Sequence, residues 1–253
     1  MKKTRLDAEL VRQELATTTD EAKRLIMAGK ILVDDQRIEK PGTLIKPDSV
    51  LRIKGKKQRY ASRAGEKLEG ALQHFPVALE GLTTLDLGAS TGGFTDCLLQ
   101  YGAKKVYAVD VGTNQLIWKL RQDPRVISLE KTHARMLNVS LVPEPIDFLV
   151  VDVSFTSLTY VLPPVFPLLA PNAKAICLFK PQFEAPRHQV GEGGLVDENT
   201  AAEALEKLTI WLDIKNIKNM GMIKSSVKGR EGNQEYLIYI DLSGVDKEVE
   251  SSD

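Results

Sequence analysis

The β-prone run Thr84-Leu85-Asp86-Leu87 empties directly into Gly88-Ala89-Ser90-Thr91-Gly92-Gly93-Phe94. Glycines at the carboxyl end of a strand let the backbone turn sharply and approach a ligand closely, and open α/β sheets bind their ligands at that edge. The spacing is not that of a dinucleotide loop, because the second glycine of G-x-G-x-x-G is missing, and no Gly-Lys-Ser/Thr ending marks a P-loop. The next β-prone run ends in Val109-Asp110, where an acid can accept hydrogen bonds from both hydroxyls of a ribose. Asp110 could instead cap a helix, but the loop before it favours the ribose. A glycine loop plus a ribose acceptor, with no pyrophosphate site, fits an adenosyl ligand, S-adenosylmethionine. Asp86, Gly88, Ala89, Ser90, Gly92, Gly93, Phe94, Asp110 and Val111 are the candidates to hold it, with residues 130–133 near the adenine.

Such residues need strands to present them. β-Rich runs at 82–87, 105–109, 125–129, 146–151 and 173–179 alternate with helical stretches that include 94–101, 114–120, 156–169 and 200–212. Alternation of this kind predicts a parallel sheet with helices on both faces. Two further strand candidates, 219–225 and 235–242, follow one another at the end. A closing antiparallel pair gives a seven-stranded, mostly parallel sheet, the methyltransferase variant of the Rossmann-like α/β fold.

The first 55 or so residues read differently. Leu6, Leu10, Val11 and Leu15 sit at helical spacing. Thr17-Thr18-Thr19-Asp20 offers N-caps for a second helix carrying Ala22, Leu25 and Ile26, with Gly29 as its stop. Short β-prone pieces follow, among them 30–33, the turn Asp34-Asp35 and 50–53. The predicted unit is a small α+β domain.

Composition bounds the partners. The 253 residues carry 34 Lys plus Arg against 34 Asp plus Glu, with 43% hydrophobic residues, an ordinary globular balance. No apolar run approaches the ~18 residues of a membrane span. The start, Met1-Lys2-Lys3-Thr4-Arg5, runs into Asp7 and Glu9 rather than an apolar signal core. Cys97 and Cys177 are too few for a disulfide framework, and His74, His133 and His188 lack ligand spacing, so no metal is expected. A cytoplasmic protein follows. The zero sum hides an asymmetry: residues 1–60 hold 15 basic and 9 acidic side chains, and the remainder 19 and 25. Arg52, Lys54, Lys56, Lys57, Arg59, Arg63 and Lys67 fall within 16 residues holding one acid, Glu66. That strip is either a solvated linker or a phosphate-binding surface.

Two resemblances sharpen these readings. R-L-D-A-E-L, the A-x-x-L-I-x-x-G-K run and the following V-D strand resemble the RNA-binding module of ribosomal protein S-four. In that family paired helices present a basic surface to structured RNA, which implies Arg5, Arg12, Lys23, Arg24 and Lys30 as RNA contacts; Arg59 and Arg63 of the basic strip are further candidates. L-D-L-G-A-S-T-G-G-F-T-D, A-V-D-V-G-T-N-Q-L, V-V-D-V-S-F-T-S-L and K-P-Q-F-E resemble the TlyA-type rRNA methyltransferases, which join such a module to an FtsJ-like catalytic domain. The implied layout is an S-four-like domain at 1–58, a linker at 59–65, a methyltransferase domain at 66–245 and an acidic tail at 246–253. The implied activity is 2′-O-ribose methylation of ribosomal RNA, with cytidine as target and ribosomal RNA or ribosomal subunits as partner.

FtsJ-like enzymes carry a Lys-Asp-Lys-Glu tetrad. Its motif contexts here are S-R-A-G-E-K-L, D-F-L-V-V-D, L-F-K-P and G-N-Q-E-Y, which give Lys67, Asp152, Lys180 and Glu235. Asp152 would also border the cofactor. A lysine is a poor base unless burial or a second cation lowers its pKa, so Lys180, with Lys67 nearby, is expected to deprotonate or orient the hydroxyl. Asp152 and Glu235 would hold the lysines. Cys97 and Cys177 are expected in the core rather than as nucleophiles for carbon methylation. Asp152-Val153-Ser154-Phe155 resembles the D-P-P-aromatic turn of base N-methyltransferases without its prolines, and makes that chemistry the enzymatic alternative. A haemolysin name in the same family raises a membrane-active alternative. The glycine-rich segment 190–194 reads as a loop able to close over RNA or cofactor. Tyr60, followed by Ala61 where the family usually has a bulky aliphatic, either stacks on a base or packs between domains.

Overall fold

Leu6, Leu10, Ala22 and Ile26 repeat at helical spacing and are fully buried together, and that shared apolar face sets the N-terminal architecture. The computed structural model describes residues 3–13, 15–47, 49–54, 59–227, 229 and 232–247. After a short strand β1 (Thr4–Arg5), helices α1 (Leu6–Arg12) and α2 (Thr19–Met27) pack on one another. Thr18 is the N-cap of α2, its hydroxyl accepting from Glu21 N at 3.1 Å. Strands β2 (Ile31–Val33) and β3 (Gln36–Arg37) form a hairpin whose two-residue turn, Asp34-Asp35, has positive φ at both positions. Aspartate tolerates that conformation better than most residues, and it suits the twist of a tight hairpin. β4 (Leu44–Ile45) pairs antiparallel with β1, and β5 (Leu51–Ile53) with β2. Of the expected basic strip, Lys56 and Lys57 lie outside the described residues, as does 248–253 of the acidic tail.

The larger second part begins with α3 (Ala64–His74), then β6 (Thr83–Leu87), α4 (Gly93–Gln100), β7 (Lys105–Val109), α5 (Trp118–Arg121), β8 (Val126–Leu129) and β9 (Ile146–Val151). It continues through α6 (Leu158–Val161), β10 (Leu169–Phe179), α7 (Pro181–Glu184), α8 (Glu198–Ile214), β11 (Lys218–Lys224) and β12 (Tyr236–Asp241). The seven strands lie in the order β11-β12-β10-β9-β6-β7-β8. Strands β6 to β10 pair in parallel, and β12 is antiparallel to both β10 and β11. This is the seven-stranded methyltransferase sheet expected from the alternation. Side chains divide by the period of two. Phe148 and Val150 join α3 and α4 in one core, while Leu149 and Val151 join α8 in the other. Strand order reverses between β6 and β9, which opens a crevice at their carboxyl ends.

Three expected elements differ. The helix expected at 114–120 shrinks to α5, because the backbone N–H groups of Asn114 and Gln115 are taken by the Glu130 carboxylate and Asn114 adopts a positive φ. The helix expected at 156–169 stops after one turn and becomes a 3-10 segment, Pro163–Leu168. Pro164 and Pro167 lack the N–H groups that an α-helix needs. The fifth parallel strand starts at Leu169 rather than 173, with a register shift between Leu169 and Lys174. Among the described residues no helix is long and apolar enough to cross a membrane.

Tyr60 is buried beside Gly65, where a Cβ would come within 2.4 Å of the tyrosine side chain. Its hydroxyl hydrogen-bonds with Glu69 and Cys97, and burial raises its pKa. The linker aromatic packs between helices rather than facing outward. Cys97 and Cys177 are both buried, and burial pushes the Cys97 thiol up to about 12, far from a nucleophile's range.

Candidate active site

The crevice over β6 and β9 is a cleft of about 760 Å³, a size suited to a nucleoside-bearing ligand. Its floor is the turn after β6. Gly88 has φ +91, and a Cβ there would lie 2.4 Å from the Asp152 carbonyl oxygen. Only a glycine lets this turn pass so close to the end of β9. The sheet ladder continues past the strand, with Gly88 N and Ala89 N both donating to Val109 O and Asp152 N donating to Leu87 O. Gly88, Ala89, Ser90, Gly93, Phe94, Asp110, Val111 and Asp152 all line the cleft.

Two expected cofactor residues do not line it. Asp86 is fully buried on the α4 side of β6, where Thr95 Oγ1 donates to its Oδ2 at 2.6 Å, and its Oδ1 has no hydrogen-bond partner. Burial pushes its carboxyl up to about 7; Thr95 opposes the rise, and Asp152 and Asp110 add to it. Gly92 faces Leu116 and Leu120 behind the loop. Both residues support the loop from beneath. Strand alternation hides this in the sequence, since Leu85 and Leu87 point to the opposite core.

Asp110 is held by Ser90 N at 2.8 Å and Gly112 N at 2.6 Å, one to each carboxylate oxygen. Each oxygen has a second lone pair to offer, and Asp110 lines the cleft. Of residues 130–133, Thr132 and His133 line the cleft, whereas Glu130 turns away to bind Arg121 and the 114–115 backbone. The donors, the acceptor carboxylate and the bare turn fit S-adenosylmethionine: Asp110 for the ribose, Val111, Thr132 and His133 for the adenine, and the 88–94 turn for the amino-acid end.

The other wall carries Lys67, Asp152, Lys180 and Glu235, all four lining the same cleft. They come from α3, the end of β9, the end of β10 and the residue before β12. Lys67 Nζ donates to Glu235 Oε2 at 2.7 Å, and Lys180 Nζ lies 2.6 Å from Asp152 Oδ1. Lys180 also donates to Val153 O at 3.0 Å and to Ser154 Oγ at 3.3 Å. Each lysine is thus paired with a carboxylate rather than with the other lysine. Burial raises the Glu235 carboxyl above its ordinary range, with Lys67 and Lys180 opposing the rise.

Sequence reading quoted Ser154 and Phe155 only as part of a turn and gave them no role in the wall. Ser154 contacts Lys180. Phe155, with φ +64 and 90% exposed, holds its ring 5.1 Å from that of Phe183. The weak likeness of 152–155 to a D-P-P-aromatic turn was the signal that could have found them. Val11, Arg12, Gln13, Ala16 and Thr17 bring the N-terminal domain to the cleft as well. Of the seven basic residues expected at RNA, Arg12 and Arg63 line the cleft. Arg12 is held by Glu9 and reaches Gln115 at 3.3 Å. Arg5 pairs with Asp7 and Lys23 with Asp20, while Arg24 and Lys30 are exposed on the same domain. Arg59 pairs with Glu69 across the linker.

Known proteins resemble this chain along most of its length. The chain matches the FtsJ-like methyltransferase family over residues 60–242 and the S4 domain over residues 4–51. YqxC of Bacillus subtilis, provisionally named an rRNA methyltransferase, is 44% identical over 249 residues, spanning 98% of this chain and 89% of that one. TlyA of Mycobacterium tuberculosis, named a 16S/23S rRNA (cytidine-2′-O)-methyltransferase, is 40% identical over 241 residues, 94% of this chain and 90% of that one. A solved structure from Streptococcus thermophilus, provisionally titled a hemolysin, superimposes with a TM-score of 0.83 at 43% identity, covering 95% of this chain and 89% of that one. With an S4 domain ahead of the catalytic sheet, the chain belongs to the FtsJ-like methyltransferase family.

Proposed function

We propose that the protein transfers a methyl group from S-adenosylmethionine to the ribose 2′-hydroxyl of a cytidine in ribosomal RNA. The observation that carries this reading is the pair of lysine–carboxylate contacts, Lys67 with Glu235 and Lys180 with Asp152, on the cleft that the glycine turn and Asp110 also line. A hydroxyl needs orientation and somewhere for its proton to go, and a lysine–carboxylate set offers both. Cys97 and Cys177 both lie in the core, away from the cleft, which disfavours methylation of a base carbon.

Bound S-adenosylmethionine supplies an electrophilic methyl group on a sulfonium. The protein's own task is therefore mostly placement. Asp110 fixes the ribose of the cofactor, and the 88–94 turn leaves room for the rest. Lys180 orients the RNA hydroxyl, Asp152 holds Lys180, and Glu235 holds Lys67 alongside. The proton that leaves the hydroxyl passes to this set. Phe155 offers an exposed ring on which a base drawn out of its helix can stack. The S4 domain grips the folded RNA, which puts the protein's work in the cytoplasm with its ribosomal substrate.

The test is to incubate purified ribosomal subunits with the protein and S-adenosylmethionine and to map the methyl groups. A 2′-O-methylcytidine is expected. Methyl groups on bases, or none at all, would overturn the reading. Lys180→Ala should abolish transfer and leave S-adenosylmethionine affinity nearly intact; normal turnover in that variant removes Lys180 from the mechanism.

A further inference from the structure

The glycine-rich segment read as a closing loop is a hydrogen-bonded turn. A 3-10 turn, Glu192–Gly194, is closed by Gly191 N donating to Leu195 O at 2.8 Å and Gly194 N donating to Gly191 O at 3.1 Å. One side chain fastens this turn to the catalytic wall. Asn233 Nδ2 donates to Gly194 O at 2.8 Å, and Asn233 Oδ1 accepts from Val196 N at 3.1 Å. The residue is 5% exposed, so both ends of its amide are spent on the backbone of a distant segment. Its own carbonyl accepts from Gly229 N at 3.1 Å.

Glu235 lies two residues on, just before β12 begins. Fixing Asn233 therefore constrains the backbone that carries the Glu235 carboxylate into β12. Gly229 lies beside that carboxylate, where an added Cβ would come within 2.6 Å of Glu235 Oε1. Lys67 holds Oε2 at 2.7 Å. Gly229 is itself bonded into this stretch, its N–H donating to the Asn233 carbonyl and its carbonyl accepting from Gly232 N at 3.1 Å.

We propose that Asn233 is a positioning residue for methyl transfer: by tying the β11–β12 loop to residues 194–196, it holds the Glu235 carboxylate in register with Lys67. The proposal rests on the reading of Lys67 and Glu235 as catalytic. An amide suits this position because one planar group carries a donor and an acceptor. Alanine would leave a carbonyl and an N–H without their partner, and aspartate would set a charge against the Gly194 carbonyl.

The test uses the full-length protein and ribosomal subunits. Asn233→Ala is expected to lower kcat by about 10²-fold, the scale of a small misplacement at a reacting centre, with S-adenosylmethionine affinity unchanged. Gly229→Ala, which keeps every one of these hydrogen bonds but intrudes on Glu235, should lower kcat in the same way and covers the case in which Asn233→Ala fails to fold. Asn233→Ala combined with Glu235→Gln should be no slower than Glu235→Gln alone, because both act through one group. Multiplying losses, an undiminished kcat in a folded Asn233→Ala, or in Gly229→Ala where Asn233→Ala does not fold, or a parallel loss of cofactor affinity would each overturn the proposal. Full activity of Glu235→Gln would instead fail the catalytic reading beneath it, so the two failures are told apart.

Discussion

At the scale of single residues, the informative cases are buried charges, and Asp86 is the clearest. A carboxylate under a strand–turn junction with one hydroxyl partner is held near a pKa of about 7 by burial, against 3.8 when solvated. The folded protein therefore binds more protons than the unfolded chain between those values. The stability this contributes is fully present below the lower value and is lost as pH rises through about 7. Asp86→Asn retains an acceptor for Thr95 and removes the titration. Relative to the parent, the variant should gain stability by a few kcal/mol from acid to neutral pH, read as unfolding midpoints at several pH values. A stability difference that does not vary with pH would contradict the burial argument. Whether Asp86 touches the cofactor or braces the loop was not readable from L-D-L-G. That Lys67, Asp152, Lys180 and Glu235 line one cleft was foreseeable from the motif contexts of the resemblance; the role of Asn233 was not, because its partners are backbone atoms 37 and 39 residues away.

Elements make the site by ending in the right places. β6, β9 and β10 stop at one edge of the sheet, so Gly88, Asp152 and Lys180 converge although the sequence scatters them. The strands were legible as β-branched runs of alternating facing. The short helices were not: helical spacing at 114–120 gave no warning that Glu130 would capture that backbone, and proline content alone did not show where the 156–169 helix would change to 3-10. Gly88 carries the prediction at this scale. In Gly88→Ala the new methyl would meet the Asp152 carbonyl at 2.4 Å in a left-handed backbone conformation. Strain of that kind costs about 1–3 kcal/mol, and relief requires the turn to leave the end of β9. The variant should lose S-adenosylmethionine affinity, measured by calorimetry, together with thermal stability. Wild-type affinity would mean that the turn tolerates displacement without moving the cofactor site.

For the whole molecule, the net charge of zero conceals a working division. The first 60 residues carry six more basic than acidic side chains and the rest six fewer, so phosphate attraction concentrates on the S4 domain. The docking of that domain was not legible in the sequence, which holds no pattern telling how α1 meets the sheet; the structure puts Arg12 and Thr17 on the same cleft as Lys180. On the proposed function, RNA held by the N-terminal domain would lie beside the lysines. Much of the basic charge is already engaged, Arg5 by Asp7 and Arg12 by Glu9, and a phosphate must compete with those carboxylates. Arg24 and Lys30 are exposed cations of this domain, outside the ion pairs just named. Replacing both with alanine should weaken binding to ribosomal subunits and lower the slope of log affinity against log salt by about 1 for each phosphate that is no longer neutralised. Cofactor affinity should not change, because neither residue lines the cleft. An unaltered salt slope would show that the phosphate grip lies on another face of the domain.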